Sequence, residues 1–156
     1  MIDIEKARKA AEAAAAKLAE AEAEEAARQA EIAEQRAERQ RELDEKFLRE
    51  YKDLETKVRG PVITVEQKAA AFEAGTLHAL LTDYLARREA IDRIRSRAYT
   101  CASRLGRTDI LGTIPELRYV DPSEELRRWT EDAVHHLKRQ KMDGYVNDAL
   151  ASYGEE

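Results

Sequence analysis

Residues 4–58 read IEKARKAAEAAAAKLAEAEAEEAARQAEIAEQRAERQRELDEKFLREYKDLETKV and contain neither glycine nor proline. Ala, Glu, Arg, Gln and Lys dominate the stretch, and these residues lose least on entering a helix. As one continuous helix it spans roughly 80 Å at about 1.5 Å per residue, too long to fold back within a chain of 156 residues. Such an arm has to lie on something: a copy of itself, a neighbouring protein or a polymer. The expected fold class is therefore all-α, a long coiled-coil-like N-terminal arm running into a small three- to four-helix bundle.

The arm changes character midway. From Ala7 to Ala37 its apolar content is alanine, relieved only by Leu18 and Ile32. From Leu43 large residues arrive, with Phe47, Leu48, Tyr51, Leu54 and Val58 mostly on one face. This shift divides the chain into an extended arm, 1–41, and a bundle, 42–156, that includes the end of the long helix. An eleven-residue step fits the arm better than a heptad: Ala10, Ala21, Ile32, Leu43 and Leu54 form one row, and Ile4, Ala15, Ala26, Ala37 and Leu48 another. Glu22, Glu25, Gln29 and Arg36 lie between the rows. That step corresponds to about 3.67 residues per turn and favours straight or slightly right-handed packing. Alanine faces let helices approach closely but bury little area, at about 25 cal/mol per Å², so the arm is expected to order in company. Its candidate partner-binding positions are Ile4, Ala15, Leu18, Ala26, Ile32 and Ala37. The alternative is a solvated single helix held by Glu–Arg and Glu–Lys pairs at i, i+4.

Working outward, Gly60-Pro61 ends the arm and Val62-Ile63 is a short extended link. Thr64-x-x-Gln67 has the form of a capping box. It opens a second helix expected to run to about Leu105, with Phe72, Leu77, Leu80, Leu81, Tyr84, Leu85, Ile91, Ile94, Ala98, Cys101 and Leu105 facing inward. Gly75 is a weak point within it, costing up to about 1 kcal/mol against alanine, and Gly106 supplies the stop. Residues 106–121 are too apolar for a floppy linker, because Ile110, Leu111, Ile114, Leu117, Tyr119 and Val120 need cover. A packed loop with one helical turn after Pro115 is expected. Asp121-Pro122-Ser123-Glu124 then starts a third helix carrying Leu126, Trp129, Ala133, Val134, Leu137 and Met142 on one face. Asp143-Gly144 is expected to interrupt it, and Tyr145–Tyr153 to continue as a short terminal helix.

Composition bounds the function. Charged residues make up 38% and aromatics 6%, so a thick core is not expected. The balance of 27 basic against 32 acidic residues gives −5, with no global attraction for nucleic acid or an anionic membrane. Met1-Ile-Asp-Ile-Glu has neither the charge nor the apolar run of a signal peptide, and no stretch reaches the eighteen or so apolar residues of a membrane span. The expected location is the cytoplasm, or a particle such as a virion assembled there.

Residues able to do chemistry are few. Asp132-x-x-His135 has carboxylate–histidine spacing and His136 follows, but His78 on the second helix has no carboxylate at matching spacing, so a di-iron bundle is not expected. Cys101 sits on an apolar face, where a small buried hydrophobe is the usual role. Ser96, Ser103, Ser123 and Ser152 fall on helix surfaces or caps, and Gly106, Gly112 and Gly144 are isolated, so no phosphate loop is present. No cofactor, metal, small-molecule substrate or catalytic residue is expected. One local signal remains: Arg87, Arg88, Arg93, Arg95, Arg97, Arg104 and Arg107 crowd a segment whose only acids are Glu89 and Asp92. Within it, Arg88, Arg93, Arg95, Arg97 and Arg104 form a candidate stripe for an anionic partner. That partner is either the phosphates of a nucleic acid or an acidic protein surface such as the Glu20–Glu25 block of another arm. The alternative is a solvated face balanced by nearby acids. No helix-turn-helix with a short, glycine-containing turn is expected, and aromatics do not interleave with the arginines, which argues against base reading.

These features point to a non-enzymatic structural or assembly protein, homo-oligomeric or part of a larger complex. In layout and composition the chain resembles bacteriophage scaffold, minor capsid and head–tail accessory proteins as a class: short, helical, rich in Ala, Glu and Arg, with one arm and one small body. No motif carries residue roles across. The alternatives are a nucleic-acid-associated helical protein using the 87–107 stripe, and a regulatory adaptor whose arm is a helix for a partner's groove.

Overall fold

The computed structural model describes residues 3–154. The fold is all-α, and no strand occurs among the described residues. Its helices are α1 (Ile4–Arg59), α2 (Val65–Glu73), α3 (Leu77–Arg104), α4 (Thr108–Leu111) and α5 (Pro122–Leu150). No described helix is long and apolar enough to cross a membrane. The chain divides into two compact units, Met1–Lys46 and Phe47–Glu156. Residues 1–2 and 155–156, at the outer ends of the domains read from the sequence, lie outside the described residues.

The first unit is helical from Ile4 onward, and almost all of its side chains are exposed. Arg8 pairs with Glu12 at 3.1 Å, Arg28 pairs with Glu25, and Gln29 donates to Glu25 at 2.8 Å. Exposed pairs at these spacings add only about 0.3–0.5 kcal/mol each, so they support the helix without anchoring it. Asp44 is a buried acid, and it accepts from Gln40 Nε2 at 2.8 Å. Leu43, expected to join the bundle face, is half exposed.

In the second unit the end of α1 is locked from α3. Tyr51 is buried. Arg95 grips Glu55 with Nε and Nη2, at 2.6 and 3.2 Å, and both side chains are only 11% exposed. The fork matches the carboxylate and satisfies both buried charges, the condition on which a buried pair is tolerated. Arg87 Nη1 donates to the Val58 carbonyl at 2.9 Å, meeting one of the carbonyls that a helix end leaves open. Gly60 then turns the chain with φ +67°.

The capping box at Thr64 is present in full: Gln67 N–H donates to Thr64 Oγ1, and Thr64 N–H donates to Gln67 Oε1. The expected single helix from there to Leu105 is in fact two. Gly75 adopts φ +72°, its N–H donates to the Phe72 carbonyl at 3.2 Å, and the Thr76 N–H reaches the Ala71 carbonyl at 2.8 Å. Those bonds define a Schellman stop, which separates α2 from α3. Ala74-Gly75-Thr76 is therefore a short glycine-containing turn between helices, which the sequence reading did not expect. The reversal lets Leu77 and Leu81 meet Trp129 in the core. The same stop recurs at Gly106, where the Arg107 N–H donates to the Ala102 carbonyl at 2.9 Å.

The connection to α5 also differs from expectation. Its helical turn, α4, precedes Pro115 instead of following it, because Arg107, directly behind the Gly106 stop, already serves as the N-cap of a new turn. Ile110, Leu111, Ile114, Leu117 and Val120 are partly covered, whereas Tyr119 is 80% exposed. Asp121 caps α5 by accepting from the Ser123 and Glu124 N–H groups at 2.9 and 3.0 Å, with Pro122 in the first turn. No interruption occurs at Gly144, and α5 continues to Leu150.

The core centres on Trp129. Tyr84 packs on it with ring centroids 5.2 Å apart, Lys68 Nζ lies 5.0 Å from its ring centroid, and its Nε1–H donates to Glu125 at 2.9 Å. Lys68 also pairs with Asp132 at 3.1 Å. Ala69 on α2 and Ala133 on α5 are both buried, and their small size brings these helices together. Phe72, Val134 and Met142, assigned inward from their spacing, are instead 39, 43 and 52% exposed.

Candidate interaction surfaces

The structure spends much of the arginine stripe on the protein itself. Arg95 is clamped on the buried Glu55. Arg88 Nη2 donates to the Arg118 carbonyl at 2.7 Å and its guanidinium lies 5.9 Å from the Tyr84 ring centroid. The Arg97 guanidinium stacks 5.0 Å from the Phe47 ring centroid, and Arg104 Nη2 approaches Cys101 Sγ at 3.9 Å. Arg93 is exposed and pairs with Glu89 at 3.1 Å. The five are thus not one free cationic face: helical spacing aligns them, but α1 and the 112–120 segment claim several guanidinium groups. Arg107, at the end of the cluster, donates through Nε and Nη2 to Asp109 at 3.1 and 3.0 Å. This hydrogen bond holds the Asp109 carboxyl below the ordinary aspartate value.

The short turn at 74–76 brings no cationic reader with it. Leu77 and Leu81 point into the core, and the exposed positions that begin α3 are His78, Ala79, Thr82 and Asp83. Asp132, His135 and His136 lie together beside Val65 and Arg139. No group of three or more His, Cys, Asp or Glu side chains among the described residues is arranged to hold a metal ion. Cys101 is fully buried.

The six partner-binding positions assigned to the arm are placed on one helix, with Ile4 79% and Leu18 61% exposed. Ala15, Ala26 and Ala37 are exposed, and Ile32 is half-buried. The second exposed apolar surface lies on α5. Past Ala133 the helix turns Val134, Leu137, Met142, Tyr145 and Val146 toward a groove closed on one side by Phe72 of α2. The groove has a volume of about 500 Å³, and among the described residues Lys138 and Lys141 are the only charged side chains lining it. Leu150 and Tyr153 extend the apolar face, 54 and 81% exposed. The periodicity that could have revealed this surface runs through residue 144, and reading a break there hid it.

No known family model, curated protein or solved structure matches the chain.

Proposed function

We propose that this chain is a non-enzymatic assembly protein whose helical arm binds neighbouring subunits in a large complex, such as a bacteriophage capsid, scaffold or head accessory component. The observation that carries the reading is the arm: an unbroken helix through Lys46 with Ile4 and Leu18 bare to solvent. Such a helix gains little from its own alanines, since an isolated helix draws most of its stability from packing one face. The Glu and Arg side chains around it keep it soluble until it docks. A phosphate-binding stripe draws less support, because Arg88, Arg95 and Arg97 already serve intramolecular contacts.

Sedimentation of the full chain and of a version lacking residues 1–40 tests the reading. Loss of self-association, or of a co-purifying partner, on truncation is the expected result. If the truncated chain keeps every association of the full one, the arm is not the binding element.

A further inference from the structure

The α5 groove and the arm are complementary in three respects. The first is polarity: the groove floor is Phe72, Val134, Leu137, Met142 and Val146, and the arm offers an apolar face at Ala11, Ala14, Leu18 and Ala21, spaced three and four residues apart. The second is length. Val134–Val146 and Ala11–Glu22 each run about 17–18 Å along a helix axis. The third is charge. Lys138 and Lys141 line the groove three residues apart, and neither is ion-paired among the described residues. On the arm, Glu22 and Glu25, also three apart, follow Leu18 on the same face. From Leu18 to Ala27 the arm carries Glu20, Glu22, Glu24 and Glu25 and no Lys or Arg.

Resting on the proposed role of the arm, we infer that the groove formed by Phe72 and the C-terminal half of α5 receives the arm of a second copy of this chain, with Leu18 on its apolar floor and Glu22 and Glu25 against Lys138 and Lys141. The alanines matter because they let the two helices approach closely enough for short carboxylate and long ammonium side chains to meet. Leu18 is the single large apolar residue between Glu5 and Glu31, so it fixes the register. On the arm, Glu25 is held only by exposed neighbours on its own helix, Arg28 and Gln29, whereas Arg95 of the stripe is clamped across helices on Glu55, so the acidic arm is the better fit to this groove.

The test uses the full chain throughout, with circular dichroism as the check that each variant is folded. Sedimentation over a wide concentration range should show the wild-type mass rising with concentration. Met142→Glu, which puts a charge on the groove floor at a half-exposed position, should weaken association at least about tenfold. Lys138→Glu with Lys141→Glu should weaken it several-fold, and so should Glu22→Lys with Glu25→Lys. All four changes in one chain should restore it. A wild-type chain that stays monomeric, or a fourfold variant no better than either pair, overturns the inference. If the arm pair weakens association while the groove variants do not, the groove assignment falls and the arm reading stands. If neither does, the inference falls, and the arm reading is decided separately by whether removal of residues 1–40 abolishes association.

Discussion

Two glycines interrupt runs of good helix formers, Gly75 in the segment 69–81 and Gly144 in the segment 140–150, and the chain treats them oppositely. At Gly75 it stops, enters the left-handed region and reverses. At Gly144 it carries on as helix. The residue is the same, and the intrinsic penalty of a mid-helix glycine, about 1 kcal/mol, is the same. What differs is the destination of the chain beyond it. After Gly75, reversal carries Leu77 and Leu81 to Trp129, where both become 5% exposed. After Gly144 the apolar residues Tyr145, Val146 and Leu150 stay 73, 46 and 54% exposed. A glycine permits a stop, and burial beyond it decides whether the stop is used.

The largest break in this contrast would come from removing the destination. Trp129→Ala should cost about 3–5 kcal/mol, the range for deleting a large buried aromatic, read from urea unfolding. Its effect should reach the turn: the Thr76 N–H, bonded to the Ala71 carbonyl, should lose protection from hydrogen exchange more than the amides of α5 beyond Gly144. Equal loss at the two places would mean that the reversal does not depend on Trp129.

The next two effects have opposite signs for the same substitution. Gly75→Ala forces a Cβ into φ +72° with no atom within 4 Å to resist or reward it. The cost is therefore the backbone cost alone, about 1–2 kcal/mol. Gly144→Ala also meets no atom within 4 Å, but there the backbone is helical, so the variant should be about 0.5–1 kcal/mol more stable. Thermal melts of the two variants side by side check the pair. Two shifts in the same direction would remove the distinction drawn above.

This contrast also marks where the sequence was legible. Local chemistry could be read directly: Thr64 with Gln67, Asp121 with Pro122, and Gly60 before Pro61 each determine a helix end within four residues of chain. The core positions Leu77, Leu81, Ile91, Ala98, Cys101, Trp129 and Ala133 followed from helical spacing and are buried. The fate of Gly75 and Gly144 did not follow, because it depends on Trp129 lying more than fifty residues from the first and on nothing lying opposite the second. The surroundings of the arginine stripe were hidden for the same reason. Spacing along α3 aligned Arg93, Arg97 and Arg104, but spacing cannot show that Glu55, Phe47 and the Arg118 carbonyl stand within reach of Arg95, Arg97 and Arg88. The groove on α5 was missed because it needs Phe72 from another helix as its wall.

A third glycine sharpens the contrast with the smallest effect. Gly106 stops α3 as Gly75 stops α2, yet only a short turn, α4, follows it, and the core gains less there. At this stop a side-chain pair assists: Arg107 forks onto Asp109, and that hydrogen bond lowers the Asp109 pKa from its ordinary value. The unfolded chain, lacking the fork, titrates Asp109 at the ordinary value. A carboxylate with a lowered folded pKa contributes stability above its unfolded pKa and loses it as the pH falls through the folded one. Acidification should therefore loosen α4. Because the pair is exposed, the loss should be local and too small to move the global melt. An NMR titration of the Asp109 carboxyl should give a midpoint below that of an ordinary aspartate, and Arg107→Gln should return it there. A midpoint that Arg107→Gln leaves unchanged would mean that the fork does not hold the turn, and that Gly106 stops the helix through its backbone bonds alone.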